Sequence, residues 1–283
     1  MKKIFILILL IIDLFGNTIE IAKDLFDKKE KHKEAIEIFQ KFEDDAEAQY
    51  YLGKAYLYGM GVDKNEKKAF EYAKRSADKN NSSGLNLLGV IYDYGEGVNK
   101  DEAKAFKYYE EAAKLGNTKA MINLAKVINL EEAKKWLIKA HELGDLNGTI
   151  NLAFFLSSTE IKNYKEAIIY YDIYMKSGYK MTSNIYYRMA SSYEGIEKYK
   201  RAYEFYVKSI ELGEKGNILS IIYSEGIRNI ISDDEYLYWL KKGVELKLDT
   251  AYLPLFIYYQ EKKDYKNLKL FLEKAYYEDK NLD

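Results

Sequence analysis

The sequence predicts an all-α fold of stacked helix pairs, and three observations support this prediction. Residues 48–83 and 84–119 align without a gap and are identical at 15 of 36 positions, and repetition at such a period is typical of stacked supersecondary units. Small and apolar residues recur at three- and four-residue spacings, which place them on one helix face. The only proline is Pro254, and long helical runs need few prolines because proline removes a backbone N–H and clashes inside a helix.

Each copy of the repeated block predicts a first helix, a glycine turn and a second helix. In the first copy, Gly59-Met60-Gly61 interrupts an amphipathic pattern, and Asn65 stands where an N-cap of the second helix is expected. Asp101 takes that place in the second copy, and Asn80 and Gly116 stand where the second helices should end. We assign the following positions to packing and turns: Leu52, Gly53, Tyr56, Gly59, Gly61, Ala69, Leu88, Gly89, Tyr92, Gly95, Gly97 and Ala105.

The two copies resemble the Sel1-like repeat family of bacterial proteins, which is related to the tetratricopeptide repeats. The letters that carry the resemblance are Leu52-Gly53, Tyr56, Gly59-x-Gly61-Val62 and Lys68-Ala69 in the first copy, and Leu88-Gly89, Tyr92, Gly95-x-Gly97-Val98 and Lys104-Ala105 in the second. The resemblance implies a right-handed α-α superhelix, a solenoid, of about seven to eight helix pairs.

The later units keep the helical spacing but lose the glycine turn. The third unit lacks eight residues between its helices, so its connection should be tighter. The units that follow are closer to plain tetratricopeptide repeats. No segment rich in proline, glycine or serine interrupts them, and we expect residues 18–283 to form one continuous array.

Residues 1–17 predict a signal peptide or a short N-terminal anchor. Lys2 and Lys3 precede the apolar run Ile4–Ile12, which is short for a membrane span and suits the hydrophobic core of a secretory signal. Cleavage near residues 16–18 would export the protein to the periplasm or the medium. An uncleaved segment would instead tether it to the membrane, which is the only membrane contact that we expect.

Composition argues against several kinds of function. Net charge is −1, so nucleic-acid binding has no electrostatic support. The chain has no cysteine, which excludes a thiolate zinc site and a cysteine nucleophile. His32 and His141 lie in different repeats without a ligand-spaced partner, and we expect neither a metal site nor a cofactor. No catalytic motif occurs, and we expect no catalytic residues.

Partner binding is the function that the pattern favours. First helices of such repeats line the concave face of the array, and the chain has 29 tyrosines, residues that combine contact area with a polar tip. Packing against neighbouring helices is the alternative role for these aromatic residues. The candidate partner-binding residues are Tyr50, Lys54, Tyr58, Asn86, Asp93, Tyr94, Phe154 and Tyr187, and Ser158 and Glu194 occupy matching positions.

The sequence therefore predicts a non-catalytic scaffold or adaptor that binds a peptide or protein segment. An exported cell-envelope hydrolase, or a virulence or host-contact factor built on the same repeats, is the alternative. The letters that differ between the two copies, such as Leu57 against Asp93, are the expected place for function, because packing and turns explain the identical ones.

Overall fold

In a computed structural model the described residues, 18–279 with side chains to residue 274, are helical and contain no strand. The predicted signal segment, residues 1–17, lies outside them. The α-helices are α1 (18–26), α2 (His32–Lys41), α3 (Ala46–Tyr58), α4 (Glu66–Ala77), α5 (Ser82–Tyr94), α6 (Glu102–Lys114), α7 (Thr118–Leu124), α8 (Leu130–Glu142), α9 (Leu146–Leu156), α10 (Tyr164–Lys176), α11 (Ser183–Gly195), α12 (Tyr199–Glu211), α13 (Ile218–Tyr223), α14 (Glu225–Arg228), α15 (Asp233–Glu245), α16 (Tyr252–Glu261) and α17 (Tyr265–Asp279). The all-α class of stacked helix pairs is confirmed.

Within each unit, consecutive helices such as α3 and α4 or α11 and α12 pack against each other, and the first helix α3 also contacts the next first helix, α5. The core of the starting pair contains Ala22, Phe26 and Phe39 and continues into α3 through Leu52. Each pair thus buries its apolar faces partly against its neighbour, the interaction that stabilises a repeat array.

Contacts divide the chain into two compact units, Met1–Gly148 (unit 1) and Thr149–Asp283 (unit 2). Unit 1 holds both copies of the repeated block. The single continuous array over residues 18–283 stays a prediction.

Polar side chains cap the N-termini of the second helices at the positions that the sequence predicted. Asn65 Oδ1 accepts the Lys68 backbone N–H at 3.0 Å, and Asp101 does the same for Lys104 at 3.0 Å. The expected C-terminal positions are also confirmed, because Asn80 and Gly116 take positive φ angles of 57° and 88°.

The glycine turn serves the contact between pairs as well as the reversal of the chain. Gly61 has a φ of 74°, and a Cβ there would lie 2.8 Å from the carbonyl carbon of His32, the first residue of α2. In the second copy a Cβ on Gly97 would lie 2.7 Å from the carbonyl carbon of Glu66, the first residue of α4. Each turn therefore rests on the start of the preceding second helix, too close for a side chain.

Unit 2 lacks the glycine turn but keeps a glycine at the same junction. A Cβ on Gly195, at the end of α11, would lie 2.4 Å from the ring of Tyr164, the first residue of α10. A Cβ on Gly226 in α14 would lie 2.0 Å from the ring of Tyr199, the first residue of α12. In unit 2 the glycine therefore faces a tyrosine ring, whereas in unit 1 it faces backbone atoms.

Two connections depart from the first two repeats. The third unit was predicted to lose eight residues between its helices. Its connection, residues 125–129, is shorter than residues 95–101 of the second copy, but most of the loss falls in the first helix, because α7 has 7 residues where α5 has 13. In the pair before the last, the first helix breaks at Ser224, whose backbone is extended at φ −81° and ψ 107°. The Ser224 hydroxyl accepts the Ile227 N–H at 3.3 Å and so caps α14.

Candidate binding surface

Five predicted candidates of unit 1 lie on one side of helices α3 and α5, which we call the unit 1 first-helix surface: Tyr50, Lys54, Tyr58, Asn86 and Tyr94. Helix α7 extends this surface, because the Asn123 side-chain amide donates to Asn86 Oδ1 at 3.1 Å. Lys119, also on α7, acts electrostatically on Lys54. The structure thus brings together residues that lie far apart along the chain.

Tyr58 and Tyr94 are the most open of these candidates, with 58% and 72% of their surface exposed. They occupy equivalent positions near the ends of α3 and α5. Partial burial raises the pKa of Tyr58, and the nearby Tyr94 and Glu96 raise it further. Neither ring packs against another aromatic ring of the described residues.

Tyr50 has a larger share in packing. Its ring centroid lies 4.9 Å from that of Tyr51, and the Tyr51 ring stacks on Phe39 at 4.8 Å with an interplanar angle of 5°. Burial raises the pKa of the Tyr50 phenol. Tyr50 is therefore half-buried at the edge of an aromatic cluster and presents only part of its surface.

Lys54 lies over the same cluster. Its Nζ is 5.2 Å from the Phe26 ring centroid and 6.0 Å from that of Tyr51. Burial lowers the pKa of Lys54, Lys119 lowers it further, and Asp27 opposes the shift. Among the described residues Lys54 forms no ion pair.

Asp93 is explained by packing. The buried Tyr109 donates its hydroxyl to Asp93 Oδ2 at 3.3 Å, and Gly89 leaves room for the Tyr109 ring, because a Cβ there would lie 2.7 Å from it. In the first copy Leu57 and Ala73 stand at the places of Asp93 and Tyr109. The change from Leu57 to Asp93 therefore accompanies the change from Ala73 to Tyr109, because Asp93 accepts the hydrogen bond of the Tyr109 hydroxyl.

The same arrangement recurs twice in unit 2. Tyr171 OH lies 2.8 Å from Ser157 Oγ, and Tyr206 donates to Glu194 Oε2 at 2.7 Å. Glu194 also accepts a hydrogen bond from Ser224. Burial raises the pKa of both phenols, that of Tyr171 to about 12. Glu194, like Asp93, primarily satisfies a buried hydroxyl.

Phe154 and Tyr187 lie on the first helices of unit 2 and are half-buried. Phe154 packs at 6.0 Å from the Tyr171 ring, and Tyr187 at 5.7 Å from the Tyr206 ring. The Arg188 guanidinium lies 4.9 Å above the Phe154 ring. With Arg188 these two residues define the unit 2 first-helix surface, and Ser158 is half-buried beyond the end of α9.

Arg188 was missed by the sequence analysis. Aligning Met189-Ala190 with Leu88-Gly89 places Arg188 where the second copy has the buried Leu87. A charged residue at a core position was the signal that could have found it.

Chemistry beyond binding has little support in the described part of the chain. No group of three histidine or acidic residues there could hold a metal ion. An open cleft of about 700 Å³ lies over the first glycine turn, with Tyr56, Asp63 and three lysines in its wall. One of them, Lys64, is engaged by Glu66 and Glu96 at 2.9 and 3.0 Å. Within residues 18–279, no helix has the length and apolar character needed to cross a membrane.

Comparison with known proteins agrees with the observed helix pairs. The model of the Sel1 repeat matches residues 46–81, 82–117, 119–145 and 186–214. The first two matches begin two residues before the predicted blocks, at the first residues of α3 and α5. A search of curated proteins finds no match.

Solved structures share the fold at low sequence identity. A Sel1 repeat protein from Oxalobacter formigenes aligns over 80% of this chain and 96% of its own, with 23% identity and a TM-score of 0.60. A protective antigen of uropathogenic Escherichia coli strains with an SLR fold aligns over 80% of this chain and 52% of its own, with 22% identity and a TM-score of 0.61. PilF from Pseudomonas aeruginosa aligns over 77% and 96%, with 17% identity and a TM-score of 0.52.

The repeat matches cover the two blocks that carried the original resemblance, and the helix pairs of the structure continue beyond them. The chain therefore contains four Sel1 repeats and shares the fold of solved Sel1 repeat proteins.

Proposed function

We propose that this protein is a non-catalytic interaction scaffold that binds a peptide or protein segment on its first-helix surfaces, the side that is concave in arrays of this kind. The observation that carries the proposal is the exposure of Tyr58 and Tyr94 beside the half-buried Lys54. Large aromatic residues that stay open on a folded surface are typical of interaction sites.

A comparison within the repeats separates these two tyrosines from those used in packing. Tyr56 stacks on Tyr72 at 5.8 Å and 4°, and Tyr92 stacks on Tyr108 at 5.7 Å and 9°. Both stacks hold first and second helices together. Tyr58 and Tyr94 lie two residues further along the same helices without such a partner among the described residues, so their conserved spacing within the chain supports a role in binding.

Affinity capture from the native cell tests the proposal. The full chain is compared with a Tyr58→Ala/Tyr94→Ala variant, and a Phe106→Ala variant is the matched control because Phe106 is an exposed aromatic residue on the second helix α6, with 39% of its surface open. We expect the double variant to lose a captured protein that the wild type and the control retain.

Equal capture of every protein by a folded double variant would contradict the proposal. Loss of capture by the Phe106→Ala variant alone would place binding on the second helices instead. Circular dichroism and thermal unfolding of each variant show whether it is folded.

A separate proposal concerns location. The charged and apolar pattern of residues 1–17 supports export, and mass spectrometry of the mature N-terminus tests it. A start near Thr18 is expected, and an intact Met1 on the membrane-bound protein would favour the tethered form.

A further inference from the structure

We propose that the first-helix surface of each unit binds an acidic segment, with a partner carboxylate on Lys54 in unit 1 and on Arg188 in unit 2. This inference rests on the proposed function and adds the chemistry of the partner. Each unit carries its own cation and its own supporting aromatic residues, so the two positions are independent observations.

In unit 1 the ammonium group of Lys54 is held at the surface and pairs with no carboxylate of the described residues. Lys54 Nζ lies over the rings of Phe26 and Tyr51, and the positive charge of Lys119 repels it. Asp27 attracts Lys54 electrostatically but forms no ion pair with it. A partly desolvated ammonium group gains strongly from a carboxylate that replaces its lost water.

In unit 2 the guanidinium of Arg188 is positioned by two contacts on its own unit. Its Nε donates to Asn184 Oδ1 at 3.3 Å, and its plane lies over the Phe154 ring. Neither contact supplies a negative charge. The guanidinium edge beyond Nε presents the paired N–H donors that match a carboxylate.

Other cations that stack on aromatic rings either pair with a carboxylate or are exposed to water. Arg75 lies over Tyr72 and pairs with Asp44 at 3.6 Å, and Lys104 lies over Tyr92 and pairs with Asp101 at 3.0 Å. Among the described residues, the ring-stacked lysines Lys68, Lys139 and Lys208 also form no ion pair, but all three are exposed on second helices, where water solvates them. Lys54 and Arg188 combine partial burial with the lack of a carboxylate among the described residues.

Fluorescence anisotropy with the full chain tests the inference. The probe is a fluorescein-labelled peptide of alternating glutamate and tyrosine, and a peptide with glutamine in place of glutamate is its neutral counterpart. A Lys54→Gln/Arg188→Gln variant is compared with a Lys139→Gln/Lys208→Gln variant, which removes the same number of ring-stacked cations, one from each unit.

We expect the glutamate peptide to bind more tightly than the glutamine peptide. The Lys54→Gln/Arg188→Gln variant should bind it about tenfold more weakly, as expected for the loss of a charge-assisted hydrogen bond. The control variant should stay within about twofold of wild type, because exposed charges contribute little. The two single variants then show how much each unit contributes.

Equal binding of the two peptides by wild type would overturn the inference, as would an equal loss in both double variants. The proposed function can survive that result. Suppose that Tyr58→Ala/Tyr94→Ala abolishes capture of the natural partner while Lys54→Gln/Arg188→Gln leaves capture unchanged. Binding on the first-helix surface would then be supported, and the preference for an acidic segment would be rejected.

Discussion

At the scale of single residues, a recurrent feature is a buried phenol that hydrogen-bonds a polar side chain on the facing helix or, for Ser157, one residue past the end of that helix. Tyr109, Tyr171 and Tyr206 each follow the small residue of their second helix by four positions, and each meets a polar side chain: Asp93, Ser157 and Glu194. Where the first copy has Ala73, the facing residue is the buried Leu57. Replacing one member of a pair leaves a buried hydroxyl unsatisfied, whereas replacing both avoids that cost.

The pairing predicts a compensating double substitution. Asp93→Leu alone should lower the free energy of unfolding by about 1 kcal/mol, because the Tyr109 hydroxyl loses its acceptor. Adding Tyr109→Phe should restore much of that loss. Urea unfolding of wild type, both single variants and the double variant measures the coupling, and strictly additive effects would show that the 3.3 Å contact has no energetic role.

The same variants separate packing from binding at Asp93. If its role is to satisfy Tyr109, the Asp93→Leu/Tyr109→Phe protein should capture the same partner as wild type. Loss of the partner from this stable double variant would return Asp93 to the binding surface.

At the scale of helices, a glycine lies at the junction between consecutive pairs in both units. The sequence predicted the glycine turns of unit 1 because two copies showed them in register. It did not predict Gly195 and Gly226, because what makes them necessary is the ring of a tyrosine some thirty residues earlier. Such long-range contacts leave no periodic signal in a repeat whose sequence differs from those of its neighbours.

The junction predicts the effect of one added methyl group. Gly226→Ala should lower the free energy of unfolding by about 1–3 kcal/mol, because its Cβ would collide with the Tyr199 ring. Gly216→Ala is the matched control in unit 2, since a Cβ there meets no atom within 4 Å. Thermal unfolding should show a lower Tm for the first variant and little change for the second.

Removing the Tyr199 ring tests whether this ring causes the destabilisation by Gly226→Ala. In a Tyr199→Ala background, Gly226→Ala should cost little further stability, although Tyr199→Ala itself removes packing. If Gly226→Ala lowers the free energy of unfolding by the same amount in that background, the Tyr199 ring is not the cause of the loss.

At the scale of the whole molecule, sequence reasoning predicted the all-α class, the helix pairs and the caps, because these depend on local spacing and on side chains next to the helix ends. Asn65 and Asp101 could be placed in this way, and in unit 2 Ser232 caps α15 through a capping box with Glu235. The binding surface was harder to predict. Exposure distinguishes Tyr58 from the half-packed Tyr50, and exposure depends on neighbouring helices that no single segment encodes.

The number of buried phenols predicts a loss of stability at alkaline pH. Burial raises the pKa of Tyr171 to about 12, above the ordinary value of 10.0. The unfolded chain therefore releases this proton first, so stability is complete below about pH 10 and falls as the pH rises toward 12, by at most about 1.4 kcal/mol per pH unit for each such group.

Urea unfolding at pH 9 and pH 11 measures this dependence. Tyr171→Phe should reduce the difference in unfolding free energy between the two pH values, because it removes one of the titrating phenols. An identical difference in wild type and variant would mean that Tyr171 ionises equally in the folded and unfolded protein.

Site-specific photo-cross-linking in the native cell tests whether a partner binds on the unit 1 first-helix surface. A photoreactive benzoyl-phenylalanine is placed at Tyr58, at Tyr94 or at the second-helix control Phe106, three positions whose side chains are exposed and lie in unit 1. We expect positions 58 and 94 to cross-link to the same partner protein and position 106 not to do so. A partner that cross-links only from position 106, or equally from all three positions, would contradict binding on the first-helix surface.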